Sequence, residues 1–351
     1  MHKFLLLFFL TLLISTLVQA QTINFGATLS LTGGAADLGI ACQNGIELAV
    51  NEINLNGGIK DQKLKIVYED IGDVDLKRAA LAAQGFINIH HAKALLPNWS
   101  EDAEILGPMA EKAKIIAMTL GAGGPRAARF SSNLFRATTS DGELAKFAVK
   151  QERERGSKNA CVFLADTRYY LDVGEDFVQE WNLTGGPQPF IQTIPYGSTD
   201  IRTLVAKLRD KDCSSVFIWA SPATDLALLR ELKNQSINAN GILPWFIEEG
   251  MAKEIFNDAK NHLFLYRYRL SASDFADRYT ERYSKAPMRP AANCYDGVKL
   301  LSLAMNSVGT EMDKVSAFLF NLKDYQGASG PINFQQDRER TGELIEEIQI
   351  K

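Results

Sequence analysis

Few side chains in this sequence could carry out a reaction, and those few do not sit in reactive company. No Gly-x-Ser-x-Gly, His-Glu-x-x-His, P-loop or Gly-x-Gly-x-x-Gly motif follows a strand-like run. Of the four histidines, His2 lies in the leader, His90 and His91 follow a helical stretch, and His262 precedes a strand. None has a partner at metal-ligand spacing. The sequence instead offers residues able to hold a solute. Pro97-Asn98-Trp99-Ser100 and Thr119-Leu120-Gly121-Ala122-Gly123-Gly124-Pro125 each follow a short apolar run and precede a helical or small-residue stretch. Backbone N–H groups in such loops can meet an anion closely. Ser100 is then either a ligand contact or a helix cap, serine's commonest role there. Trp99 is either a flat wall for an apolar ligand or a ring packed beneath the loop. Ser221, after Val216–Ala220, faces the same side by topology.

The elements positioning these loops are legible from periodicity. Ile23 to Leu29 is an apolar run. Ile46, Ala49, Val50 and Ile53 then fall at the i, i+3, i+4, i+7 spacing of a helix with one apolar stripe. Asn56-Gly57-Gly58 stops that helix, and Ile66-Val67-Tyr68 opens a second strand. Strand, helix, strand is the parallel unit with a right-handed crossover. Ala94–Leu96, Ile115–Met118 and Leu134–Arg136 continue the pattern, and Asp141 is expected to cap the helix that follows. The alternation restarts with strands at Ala160–Ala165, Phe190–Ile194, Val216–Ala220, Gly241–Leu243 and Leu263–Tyr268. Helices are predicted around Phe275–Tyr283, Tyr295–Leu301 and Val315–Leu322, and a last strand over Leu344–Ile350. Two such runs mean two α/β lobes, each doubly wound.

The chain has 351 residues, a net charge of −4 and 23% charged residues. That charge balance argues against nucleic acid as a partner. Residues 1–20 read as a cleavable signal peptide, with Lys3, an apolar core from Phe4 to Leu13, and Val18-Gln19-Ala20 before Gln21. No later stretch is apolar enough to span a membrane, and no cysteine follows the leader to carry a lipid. The expected product is exported to the periplasm without direct membrane insertion. Cys161 and Cys213 read as two buried free thiols, with a bond between them the alternative in an oxidising compartment. Cys42 and Cys294 read as small core residues. Asn98-Trp-Ser, Asn182-Leu-Thr and Asn234-Gln-Ser are chance glycosylation matches.

The wording of the first fifty residues is more specific than its periodicity. Leu31-Thr32-Gly33, Gly39 and Gly45, Ala49-Val50-Asn51-Glu52-Ile53-Asn54 and Gly57-Gly58-Ile59 together resemble the leucine/isoleucine/valine-binding protein family. These are type I solute-binding proteins of ABC importers, and the resemblance runs the length of the mature chain. It implies a two-lobed fold whose chain crosses between lobes three times, near Thr138, Tyr268 and Gly330. Lobe 1 would comprise 21–138 plus 268–330 and lobe 2 would comprise 139–267 plus 331–351. It implies that Ser100, Ala122 and Gly123 meet a ligand carboxylate. Tyr170 would be the cleft tyrosine, and Glu249, taken over its neighbour Glu248, the partner of a ligand ammonium. A monomeric receptor with no cofactor, docking on a membrane permease, is the implied function, and an exported sensor of the same fold is the alternative. A hydrolase or dehydrogenase is disfavoured by the missing motifs. The chain departs from the family at Trp99-Ser100-Glu101-Asp102, at Gly123-Gly124, and at Leu171 after the tyrosine. Those departures leave the ligand's class open among amino acids, amides and aromatic or aliphatic acids.

Overall fold

The computed structural model describes residues 22–247, 249–255, 262–270 and 274–350. The leader and Glu248 lie outside the described residues. In chain order the elements begin with β1 (Thr22–Leu29), α1 (Ala36–Leu55), β2 (Lys63–Asp70), α2 (Leu76–Asn88), β3 (Ala94–Leu96), α3 (Ser100–Lys112), β4 (Ile116–Thr119) and β5 (Leu134–Arg136). Next come α4 (Asp141–Glu154), β6 (Ala160–Ala165), α5 (Arg168–Leu183), β7 (Phe190–Ile194), α6 (Arg202–Ala206), β8 (Ser215–Trp219), α7 (Pro222–Asn234), β9 (Asn240–Leu243), α8 (Glu249–Ile255) and β10 (Leu263–Tyr268). The chain ends with α9 (Phe275–Tyr283), α10 (Arg289–Val308), α11 (Met312–Asn321), β11 (Tyr325–Gly327), β12 (Gly330–Phe334), β13 (Arg340–Thr341) and β14 (Ile345–Ile350).

These strands build two sheets with one plan. The first runs β2-β1-β3-β4-β5, and the second β14-β10-β9-β8-β6-β7. Numbered within its own half, each parallel set has the order 2-1-3-4-5. Phe25 of β1 pairs with Ile66 on one side and Ala94 on the other. Phe163 of β6 likewise lies between Gln192 and Ile218. Parallel strands buried on both faces need unbroken apolar runs, which is why Ala94–Leu96 and Val216–Trp219 carry no alternation. The exception is β14, which joins antiparallel at the edge with Ile348 opposite Leu265.

Each sheet has its own core. In the first half, α1 and α10 pack Ile46, Ala49, Val298 and Leu301 against Phe25 and Leu29. In the second half, apolar clusters cover both faces of the other sheet, one around Phe163 and Ile218 and one around Phe177, Phe217 and Trp219. The order 2-1-3-4-5 reverses direction beside the first strand, and ligands of open α/β sheets sit at that switch point, beyond the strands' carboxyl ends.

Three expectations need correction. The cysteines are paired: Cys42 is bonded to Cys294 and Cys161 to Cys213. The first bond joins α1 to α10 across 252 residues of chain, a proximity that only the folded lobe creates. The cap of α4 is Ser140, whose hydroxyl accepts from the Gly142 N–H at 3.1 Å, because the Asp141 carboxylate is taken by Tyr169, Trp245 and Arg289. Finally, Ile332 and Phe334, expected beyond the last crossing, are buried in the core of the first half. The chain returns to the second sheet only after β13, at residues 342–344.

Candidate functional site

The two switch points face each other, and the predicted loops form their rims. In the first half, Trp99 is the residue before α3, and Ser100 begins that helix. Asp102 holds the turn together. Its Oδ1 accepts from the Trp99 N–H at 2.8 Å, and its Oδ2 from the Asn98 N–H at 3.1 Å and the Thr28 hydroxyl at 2.6 Å. Burial pushes this carboxyl up to about 7. Because Asp102 supplies the cap, the Ser100 hydroxyl can turn to the neighbouring loop, where its Oγ accepts the Gly124 N–H at 3.0 Å. Trp99 is half-buried, donates to Ser30 Oγ at 2.8 Å and packs on the cluster beneath the loop.

The loop after β4 closes on this turn. Leu120 and Gly121 donate to the carbonyls of Pro97 and Asn98 at 2.9 and 3.1 Å. Ala122 is fully buried, and its carbonyl accepts from Arg136 at 3.3 Å. Close approach explains the next two glycines. A Cβ on Gly123 would lie 2.0 Å from Asp141 Oδ2, and one on Gly124 would lie 2.5 Å from Ser100 Oγ.

On the opposite rim, Tyr169 and Tyr170 stand on the first turn of α5 with ring centroids 4.7 Å apart. Tyr170 is buried, with Tyr196 at 5.8 Å and Phe246 at 6.5 Å, ring to ring. Ser221 caps α7, accepting from the Thr224 N–H at 3.3 Å. Asp225, one turn into α7, is fully buried and accepts from the Ala220 N–H at 2.9 Å. Burial raises its carboxyl well above the ordinary range.

Between the rims lies Asp141, whose sequence context suggests only a cap. Its N–H donates to the Gly123 carbonyl at 2.7 Å. Its Oδ2 accepts from the Tyr169 hydroxyl at 2.7 Å and the Trp245 indole at 3.1 Å, and its Oδ1 from Arg289 at 3.1 Å. Arg289 belongs to α10, stacks over the Tyr268 ring at 4.2 Å and also bonds Thr138 Oγ1 at 2.7 Å. Burial and the neighbouring Asp141 charge push the Tyr169 hydroxyl well up. One carboxylate thus holds residues of both halves. At the mouth, Arg168 meets Glu104 at 3.1 Å and Arg126 meets Asp172 at 3.1 Å.

Trp99, Ser100, Ala122 and Gly123 therefore lie in the two loops that close on each other after β3 and β4, while Tyr170 and Ser221 stand at the starts of α5 and α7 in the second half. Glu249 begins α8 as an exposed side chain. The gap lined by Ser100, Glu101, Gly124, Arg168 and Tyr169 measures only about 10 Å³, roughly the space one water needs. A larger polar cavity of about 510 Å³ lies at the chain passages, lined by Thr139, Lys146, Asp176, Tyr268 and Arg340 among others. Sequence reasoning misses the contacts that join Asp141, Tyr169, Trp245 and Arg289. The position of Asp141 at a chain passage is the one signal available for them.

Two mirrored α/β lobes with facing switch points define a type I binding fold, in which a solute is held between lobes. The profile of the family described as "Periplasmic binding protein" matches residues 22–349, and this chain belongs to that family. It is similar to Leu/Ile/Val-binding protein homolog 8 of Brucella melitensis, at 24% identity over 88% of this chain and 83% of the relative. It is similar also to the Leu/Ile/Val-binding protein of Escherichia coli K12, at 27% identity over 66% of this chain and 65% of the relative. Among solved structures, a leucine binding protein LivK from Thermotoga maritima superposes with a TM-score of 0.81 at 19% identity, covering 92% of this chain and 94% of that one. A Rhodopseudomonas palustris solute-binding protein in complex with benzoate gives 0.79 at 17% identity, covering 94% and 93%. The family resemblance and the two-lobed fold expected from the sequence are both met. Members of this family work outside the cytoplasm, and among the described residues no helix is long and apolar enough to cross a membrane.

Proposed function

We propose that this chain is the periplasmic solute-binding receptor of an ABC importer, a monomer that captures one small polar ligand, an amino acid or related carboxylate, and presents it to a membrane permease. The observation that carries this reading is the meeting of the two rims through Asp141, with Gly123 and Arg289 on one side and Tyr169 and Trp245 on the other. Such a contact set exists only when the lobes are together. A ligand that touches both walls shifts the population toward closure by its extra contacts in the shut form. The lobes part to admit it, because the gap at Ser100 is far below the ~300 Å³ of an ordinary ligand pocket.

In this reading lobe 1 is 22–138 with 269–341, and lobe 2 is 139–268 with 342–350. Ser100 and the Ala122–Gly124 backbone receive the ligand's acidic end, Trp99 backs them from beneath, and Tyr170 and Ser221 close from lobe 2. Relatives carrying names for leucine, isoleucine and valine binding, together with a fold neighbour that holds benzoate, support a carboxylate-bearing solute.

A thermal-shift screen across amino acids, amides, and aromatic and aliphatic acids tests the reading. A ligand at a hundredfold its Kd adds about 2.7 kcal/mol, which for lobes of this size raises Tm by about 5–10 °C. No shift with any member of the screen contradicts a receptor for such solutes.

A further inference from the structure

The two halves exchange charges at the mouth of the gap. Arg126, in the loop after β4, reaches three carboxylates of α5: Asp172 at 3.1 Å, Glu175 at 2.9 Å and Asp176 at 3.8 Å. Arg168, at the start of α5, reaches back to Glu104 of α3 at 3.1 Å and lies over the Phe130 ring of the first half at 5.4 Å. Asp172 joins the two arginines, since it also stands 3.9 Å from Arg168. Each half thus gives an arginine to acids of the other, in one line of alternating charge: Glu104, Arg168, Asp172, Arg126, Glu175. Glu104, Arg168, Asp172 and Phe130 line the gap together with Ser100 and Gly124.

Two features set this network apart from ordinary surface pairs. Asp172, Glu175 and Asp176 fall at i, i+3 and i+4, so they share one face of α5, where like charges oppose one another. Arg126 is the cation that reaches all three, and it comes from the other half. Its backbone is left-handed, with φ +70°, a conformation that glycine accepts and a side chain disfavours. Strain kept at a residue whose side chain spans the gap points to a role for that side chain. Exposed pairs contribute little one at a time and are weakened by salt. Pairs that exist only when the halves meet nevertheless all favour the shut form and none the open one, so together they shift the balance between the two.

We propose that Arg126 and Arg168, with the acids they meet across the gap, form a salt-sensitive latch that biases the protein toward its shut form before any solute arrives. This rests on the receptor reading, in which the two halves move as lobes, and adds what sets their resting balance.

Spin labels at Leu81→Cys and Leu183→Cys, exposed positions on α2 and α5, report the distance between the lobes without any solute. The four native cysteines are all bonded and stay unlabelled. Raising NaCl from about 10 mM to about 1 M cuts the screening length from about 30 Å to about 3 Å. The expected result is that the ratio of shut to open distances falls at least about threefold, the size a few exposed pairs supply together. Arg126→Gln with Arg168→Gln is expected to give the open distance already at low salt, with no further response to NaCl. Arg129→Gln removes a like charge whose partner, Asp337 at 3.2 Å, lies in its own lobe, and is expected to behave as wild type. Should the double variant fail to fold, the salt titration of the wild type decides alone. Distances unchanged by salt in the wild type overturn the latch, as do distances unchanged in the double variant or altered equally by Arg129→Gln. The solute screen reads the receptor and these distances read the latch, so failure of one is distinct from failure of the other.

Discussion

Asp141 shows how one residue acquires its role from the fold. Next to Ser140, with helix-forming residues after it, it has every local mark of a cap, and acids do stabilise a helix start. The structure gives the cap to Ser140 and directs the Asp141 carboxylate to Tyr169, Trp245 and Arg289. Those three residues come from two other helices and a loop, so no local pattern could have announced them. Asp141→Asn leaves Arg289 with Glu343, at 3.6 Å, as its remaining carboxylate. Breaking a buried pair outright costs about 3–5 kcal/mol, and with that second partner kept, urea denaturation is expected to register a loss of about 2–3 kcal/mol. A loss below about 1 kcal/mol would mean that the carboxylate is not holding the lobes together. Ser100 and Trp99 were legible as alternatives, and the structure separates them. Ser100 is neither a plain cap nor free, because Asp102 caps the turn and Ser100 fixes the Gly124 loop.

At the scale of elements, what was legible is what burial on both faces writes into the chain. Ala94–Leu96 and Leu263–Tyr268 fall where their apolar runs put them, since an inner strand covered on both faces tolerates little else. Features set by contacts distant in sequence were not legible. Gly330-Pro331-Ile332 looks like a turn past the last crossing, yet Ile332 and Phe334 point into the first core. The cysteines are the sharper case. Cys42 and Cys294 lie in helices 252 residues apart, and nothing short of the packed α1–α10 pair brings them together. Because the bond ties the first segment of lobe 1 to the segment that returns after lobe 2, it restrains a discontinuous lobe. The double variant Cys42→Ser, Cys294→Ser is expected to lose about 2–4 kcal/mol in chemical denaturation, with ligand affinity changed less than threefold. A large loss of affinity at unchanged stability would place the bond in the binding machinery instead.

For the whole molecule, the repeated strand order 2-1-3-4-5 accounts for the site's location. Two sheets of like plan present like switch points, and the proposed reading has the chain passages between them act as the hinge. Glu343 at the last passage accepts the Thr139 N–H of the first passage at 2.7 Å. It also faces Arg289 at 3.6 Å and Arg340 at 3.9 Å, so the passages are tied to one another as well as to the lobes. Those arginines hold the Glu343 carboxyl below its ordinary range against the pull of burial. In the proposed reading, two lobes arranged in this way grip one solute, unaltered, where the switch points meet. A crystal structure of the complex with the tightest ligand from the screen tests that most directly. The expected density is a single intact molecule between the Ser100–Gly124 loops and Tyr170. Density confined to the cavity at the chain passages, to an outer face, or belonging to a cleaved product would contradict it.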